Sequence, residues 1–264
     1  IYAIMKSLDM NIDVVSAGEI YTELSSGFDI SKAYFHGNNK LVSELEYAVN
    51  NNIGVVVIDN IEEIEILNDI CSKKGIVQKV NIRTNPGVEA HTHSYIQTAK
   101  IDSKFGFSIE NGDAMTAILC ILKCKNLTLN GVNCHIGSQI FDSNAFRLAV
   151  EVMTDFILEI KNTTGIEIGE LNMGGGFGVH YTESDPKYSL EDYCNYIKII
   201  TMAINDAVES KKIAKPRLMV EPGRSIVGES GITLYSVGNI RDIKGIKKYV
   251  CFDGGMFDNI RPAL

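Results

Sequence analysis

Short runs of apolar, mostly β-branched residues alternate along this chain with longer segments whose apolar positions recur at helical spacing. Ile12–Ser16, Ala33–His36, Val55–Ile58, Lys79–Arg83, Gly131–His135, Glu170–Met173 and Arg217–Glu221 read as strands. Ser43–Asn50, Ile61–Ser72, Ala114–Lys123, Ala145–Asn162 and Leu190–Glu209 read as helices. Within Ile61–Ser72, for instance, Ile61, Ile64, Leu67 and Cys71 fall on one face. Strand-then-helix repetition of this kind implies parallel strands joined by right-handed crossovers.

Two architectures accommodate the pattern, a doubly wound open sheet and a (β/α)8 TIM barrel. Polar and glycine-rich motifs follow nearly every strand, which favours the barrel, where all the strand ends face one pocket. The expectation is a barrel lacking its first strand. Residue 1 is Ile, and Tyr2, Ile4, Met5 and Leu8 form a helical pattern with no capping residue before it. The chain also stops abruptly after Asn259–Leu264, so it reads as a piece of a longer protein. The helical alternation ends after Gly228. Gly231–Ile240 and Lys247–Phe252 look like strands with no helix between them, so residues 1–228 are expected to form the barrel and 229–264 the start of a C-terminal β-rich domain.

Composition narrows the possible functions. Apolar residues make up 45% and charged residues 22%, as in ordinary soluble globular proteins. The formal net charge of −8 argues against a nucleic-acid surface. No apolar run nears the roughly 20 residues that span a bilayer, and no signal-peptide pattern is present. The six cysteines form no C-x-x-C pair, and reduced thiols in a cytoplasmic protein are expected.

The sharpest chemical signal is Gly174-Gly175-Gly176-Phe177-Gly178 directly after a strand. Glycines let backbone N–H groups close on an anion, and such turns form phosphate nests. Val179 stands where a dinucleotide fingerprint needs its third glycine, and no Lys-Ser/Thr follows as in a Walker loop. A purely structural tight turn is the plainer alternative. The next strand ends in Glu221-Pro222-Gly223-Arg224. These are the loops after the last two barrel strands, where barrels commonly hold a phosphate. Arg224 could grip an anion bidentately or sit in an ordinary salt bridge. Glu221 could partner Arg224 or an amide, or could keep a cofactor nitrogen protonated. His135 ends a strand and is followed by Gly137 and Ser138, a pocket-rim position it shares with His36. His91 and His93 lie in a loop without a carboxylate–histidine set, so no metal is expected there.

Taken together, these motifs resemble the alanine-racemase-fold, pyridoxal-phosphate-dependent decarboxylases of basic amino acids. The matching blocks are Asp13–Glu19, Phe35–Lys40, Asn85–Gly87, Asp102–Gly106, His135–Ser138, Gly174–Gly178, Glu221–Arg224, Asp253–Met256 and Asn259–Pro262, in the family's order. The Phe35–Lys40 and Asn259–Pro262 blocks lean towards the diaminopimelate-specific branch. The resemblance implies pyridoxal 5'-phosphate as cofactor. Its phosphate would rest on Gly174, Gly175, Gly176 and Gly178, on Ser138 and on Pro222-Gly223-Arg224. His135 would stack on the pyridine ring, Glu221 would bond the ring nitrogen, and Arg224 and Arg261 would hold a substrate carboxylate.

The implied reaction is decarboxylation of meso-2,6-diaminopimelate to L-lysine and CO2, by a homodimer with its active site at the subunit interface. The alternatives are another basic amino acid (ornithine, arginine or carboxynorspermidine) or a non-catalytic cofactor-binding barrel. The family's Schiff-base lysine ends the first barrel strand, roughly 20 residues before the Asp13 block. Lys6 is much too near Asp13 to match it and reads as a surface helical residue, so the lysine is expected upstream of residue 1 and this stretch alone is expected to be inactive.

Overall fold

The computed structural model describes residues 1–88 and 104–258. His91, His93, Asp102, Ser103 and the Asn259–Pro262 block with Arg261 lie outside the described residues. Contacts divide the chain into two compact units, Ile1–Ser225 and Ile226–Leu264.

The first unit begins with α1 (Tyr2–Ser7), β1 (Ile12–Val14), α2 (Ala17–Ser25), a 3-10 turn at Ile30–Lys32 and β2 (Ala33–Phe35). It continues through α3 (Val42–Asn50), β3 (Val55–Ile58), α4 (Ile61–Lys74), β4 (Gln78–Asn85), β5 (Phe107–Ser108) and α5 (Asp113–Lys123). Then come β6 (Leu127–Cys134), α6 (Ser143–Thr164), β7 (Glu170–Asn172), α7 (Leu190–Lys211) and β8 (Arg217–Met219). A short α8 (Arg224–Val227) starts at the unit's end.

Local chemistry sets the helix boundaries. Asn60 caps α4 by accepting from Glu63 N at 2.9 Å, Lys73 and Lys74 lie in the last turn, and Gly75 ends it at φ +67°. Ser189 and Asp192 form a reciprocal capping box at the start of α7. Along α6, Phe146, Ala149, Val150, Met153, Phe156, Ile157 and Ile160 are buried at helical spacing. Each large apolar side chain removed from water there contributes about 1.5–3 kcal/mol. Truncating Phe156 to Ala is expected to destabilise the unit by about 3–5 kcal/mol.

All the strands of this unit are parallel, in the order β1-β2-β3-β4-β6-β7-β8, with the two-residue β5 added beside β4. Strand order follows chain order without reversal, which excludes the doubly wound alternative. The sheet curls. Asn11, just before β1, reaches the sulfur of Met219 in β8 at 4.0 Å. Among the described residues β1 and β8 share no ladder, so these two strands are the edges of an open barrel.

Side chains alternate between two environments along each strand. Phe35, Val56 and Ile58 belong to the main core, whereas Tyr34, Val55 and Val57 cluster separately inside the curl with Met219. The interior also carries polar residues in two tiers. In the lower tier Glu170 accepts from Tyr34 Oη at 2.9 Å and from Asn130 Nδ2 at 2.7 Å, with Arg217 3.8 Å away. Gly131 makes room for it, since a Cβ there would lie 2.6 Å from the Glu170 carbonyl oxygen. The upper tier, two residues further along the strands, is the candidate site.

The second unit contains an antiparallel pair, β9 (Val237–Ile243) and β10 (Lys247–Phe252), turning at Gly245. The stretch expected as a strand from Gly231 starts pairing only at Val237, because the ladder with β10 ends at Phe252 opposite Val237. Just before that point Ser236 O still accepts from Asp253 N at 3.2 Å, outside the regular ladder.

Candidate active site

Every strand of the barrel runs in the same direction, so the segments after the strands collect at one end. Gly174–Gly178 follows β7 and is wedged between the segments after β6 and β8. A Cβ at Gly174 would lie 2.4 Å from the Cys134 carbonyl oxygen, at Gly175 2.2 Å from that of Glu221, and at Gly176 2.0 Å from that of Gly137. At Gly178 it would strike the Phe141 ring at 2.5 Å. Gly174 and Gly176 also adopt φ of +68° and +93°, where a side chain is strained. Hydrogen bonds fasten the loop on both sides. Glu221 N donates to Gly174 O at 2.9 Å, Ile140 N to Gly176 O at 2.9 Å, and Gly178 N to Ile140 O at 3.1 Å. Among the described residues, no acceptor is found for the amides of Gly175, Gly176 and Gly223.

Glu221 lies two residues beyond β8 rather than on the strand. Its Oε1 accepts from the side-chain amides of Asn133 (β6) and Asn172 (β7), each at 2.8 Å. Its partners are therefore amides, not Arg224. Burial raises its pKa first and nearby Asp13 adds to this, while His36, Arg83 and the Asn172 hydrogen bond oppose them. His36, directly after β2, is buried and donates its backbone N–H to Val14 O at 2.8 Å. Its Nε2 lies 3.5 Å from both Asp13 Oδ1 and Glu221 Oε1. Burial alone would lower the imidazole pKa, but the carboxylates of Asp13 and Glu221 outweigh it and raise it.

One donor atom each from Asp13, His36 and Glu221 fall within 4.8 Å of one another. These are metal-ligand types, but the two carboxylates favour the protonated imidazole, the form that has no lone pair on Nε2 to give a metal. Arg83, on β4, adds a second cation, 3.8 Å from Asp59 and stacked on Phe105 at 4.7 Å.

His135 and Ser138 stand in the segment after β6, both exposed. The His135 pKa is lowered, chiefly by partial desolvation and then by Arg83, His36 and Arg224. Arg224 begins α8, donates to Tyr181 Oη at 3.3 Å, and has no carboxylate partner among the ion pairs of the described residues. Pro222 and Gly223 link it to Glu221, and a Cβ on Gly223 would meet nothing within 4 Å.

Lys6 lies on α1 and donates to Gly27 O at 2.6 Å at the surface, as expected from its spacing. Lys40 is sealed in the fold, with Nζ 2.6 Å from Glu63 and donating to Gly37 O and Val57 O at 2.8 and 2.7 Å. All six cysteines are free, and among the described residues no helix is long and apolar enough to cross a membrane.

Sequence reasoning picked out Glu221, the glycine loop and the rim histidines, but passed over Asp13, Arg83, Asn133, Asn172 and Tyr181 as members of the site. Arg83, Asn133 and Asn172 occupy inward positions of apolar strands. A polar residue at the alternating position near each strand's C-terminal end is the signal that could have found them.

Comparison with known proteins identifies the family. The family described as pyridoxal-dependent decarboxylase, pyridoxal binding domain, matches residues 1–228. The diaminopimelate decarboxylase of Staphylococcus aureus (strain COL) is 48% identical over 256 residues, covering 97% of this chain and 58% of that protein. That of Bacillus methanolicus is 44% identical over 255 residues, with the same coverage. The crystal structure of diaminopimelate decarboxylase from M. jannaschii in co-complex with L-lysine superposes with a TM-score of 0.85 at 34% identity, over 99% of this chain and 59% of that one. The Helicobacter pylori enzyme complexed with L-lysine gives 0.81 at 30% identity, over 99% of this chain and 62% of that one. The chain thus spans about three fifths of the length of these relatives. With the motif order, the parallel barrel and the sequence match in agreement, this chain belongs to the pyridoxal-dependent decarboxylases and carries their pyridoxal-binding domain.

Proposed function

We propose that this chain is the cofactor-binding part of a diaminopimelate decarboxylase, which releases CO2 from meso-2,6-diaminopimelate and leaves L-lysine. The observation that carries the cofactor assignment is the glycine loop. Two segments press on it so closely that no Cβ fits at Gly174, Gly175 or Gly176, while the amides of Gly175 and Gly176 have no acceptor among the described residues. Bare amides held by the crowded turn suit a phosphate, and the Gly223 amide, two residues beyond the Glu221 that abuts Gly175, would join them. Gly174 N is taken by Asn172 Oδ1 and Gly178 N by Ile140 O, so these two glycines would shape the turn rather than bond the phosphate. Ser138 would complete the cradle, with Pro222 and Arg224 closing its far side. Pyridoxal phosphate, when bound, supplies a ring that accepts the electron pair left as CO2 departs.

Glu221 would meet the ring nitrogen through Oε2, because Asn133 and Asn172 already occupy Oε1. An anionic Glu221 holds a proton on that nitrogen. His135 would lie against the ring face, where desolvation and the neighbouring cations lower its pKa and so favour the neutral imidazole. Arg224, without a carboxylate partner among the described ion pairs, would take a substrate carboxylate, and Arg261 is proposed for the same task. The diaminopimelate assignment rests on the named relatives at 44–48% identity. A cytoplasmic homodimer is part of the proposal.

None of the lysines considered is placed for covalent catalysis: Lys6 is tied to Gly27 O at the surface and Lys40 to Glu63 inside the fold. The complete protein should therefore carry the cofactor on a lysine other than these. Borohydride reduction followed by peptide mapping, with CO2 release assayed on meso-diaminopimelate, ornithine and arginine, tests the proposal. An adduct on another lysine and turnover of diaminopimelate alone are expected. An adduct on Lys6, or preference for ornithine or arginine, would overturn it.

A further inference from the structure

His36 has no task in the scheme above, yet it is built into the fold with care. Its backbone N–H is tied to Val14 O in β1, and its imidazole is buried between a carboxylate from each edge of the open barrel. At 3.5 Å from both oxygens, Nε2 makes no conventional hydrogen bond, so its influence is that of a charge more than of a directed bond.

Two carboxylates this close resist ionising together. Asp13 from β1 and Glu221 after β8 are the anions, and Arg83 from β4 is the other cation, itself engaged with Asp59. The Cys134 thiol of β6 is buried and His135 beyond it favours neutrality, so neither supplies positive charge. Without the imidazolium, one carboxyl would take up a proton. Glu221 is the less exposed of the two side chains, 20% against 37%, and the better candidate for the neutral form. A neutral Glu221 cannot hold a proton on a ring nitrogen.

We propose that His36 is a positioning residue whose imidazolium, held between Asp13 and Glu221, keeps Glu221 anionic towards the cofactor's ring nitrogen. The inference rests on the role given to Glu221 above. A purely packing role for His36 would give no reason for Asp13 to matter, and this difference supplies the test.

The complete protein, loaded with ring-15N-labelled pyridoxal phosphate, is compared with His36→Asn, His36→Gln and His36→Asn/Asp13→Asn. The nitrogen chemical shift reports whether the ring carries its proton. Wild type should show the protonated shift, and both single variants the unprotonated one with cofactor still bound. Their kcat should fall on the order of 100-fold while KM stays near its original value. Removing the competing carboxylate in the double variant should restore the protonated shift. Bound cofactor with an unchanged shift in the single variants overturns the proposal, as does failure of the double variant to restore it. Wild type that binds no cofactor, or whose shift ignores Glu221→Gln, overturns the reading of Glu221 and this inference with it.

Discussion

Asn172 donates its side-chain amide to Glu221 Oε1 at 2.8 Å while its own Oδ1 accepts from Gly174 N at 2.9 Å. One side chain thereby joins the carboxylate proposed for the ring nitrogen to the loop proposed for the phosphate. Asn172→Ala should weaken cofactor binding by roughly tenfold, as expected for loss of a charge-assisted bond. Asn172→Asp should weaken it further by facing Glu221 with a like charge. Fluorescence titration of the apoprotein with pyridoxal phosphate measures both.

The glycines of the loop should differ sharply from Gly223. Gly176→Ala places a Cβ 2.0 Å from the Gly137 carbonyl oxygen at φ +93°, so backbone must move. It is expected to destabilise the fold by about 1–3 kcal/mol and to abolish saturable cofactor binding. Gly223→Ala meets nothing within 4 Å and should retain stability. Denaturant melts and binding titrations distinguish the two outcomes.

Glu221→Gln preserves the shape that Asn133 and Asn172 surround but removes the charge. The complete protein should bind cofactor within a few-fold of wild type and lose on the order of 100- to 1,000-fold in kcat. Steady-state decarboxylation measured beside cofactor occupancy checks this.

Lys40 and Glu63 form a pair that is almost wholly sealed from water. Desolvation lowers the Lys40 pKa and raises that of Glu63, opposed in each case by the partner. Lys40→Met strands the carboxylate and should lower stability by about 3–5 kcal/mol. Adding Glu63→Leu should recover most of the loss. Urea unfolding of the three proteins tests the pair.

Glu23, in α2, is fully buried, with both carboxyl oxygens lacking a hydrogen-bond partner among the described residues. Burial, followed by the charges of Glu19 and Asp13, raises its pKa from 4.5 to about 8. The folded chain therefore holds a proton that the unfolded chain releases, so stability is greatest below about pH 4.5 on this account and falls as pH rises towards 8. Glu23→Gln should flatten that decline and leave the protein roughly 1–3 kcal/mol more stable at pH 8. Urea unfolding of both proteins at pH 5.5 and pH 8 measures it.

The barrel could be read from the sequence because buried parallel strands leave apolar, β-branched runs such as Val55–Ile58, and the helices carry a plain helical period. The two-residue β5 left no such trace, since among the described residues it pairs with nothing but the end of β4. At the site, the glycine loop and the Glu221 block announced themselves by composition. Asn133, Asn172 and Arg83 did not, because each looks like an ordinary polar alternation until the sheet curls. His36 was visible as a rim histidine, but its place between Asp13 and Glu221 depends on bringing the two barrel edges together, which no local pattern encodes.

The stacked polar tiers of the interior bear on how the chain finds its alignment. Glu170 and Asn172 sit on one face of β7, the first meeting Tyr34 and Asn130, the second Glu221. A slip of β7 by one residue would turn both outward into the apolar helix layer and break both sets of bonds at once. A strand of three residues has little hydrophobic surface with which to choose its alignment. Its two polar side chains act as the teeth of a key that turns only in the native setting, so the residues proposed for chemistry also help the barrel to proofread its own assembly.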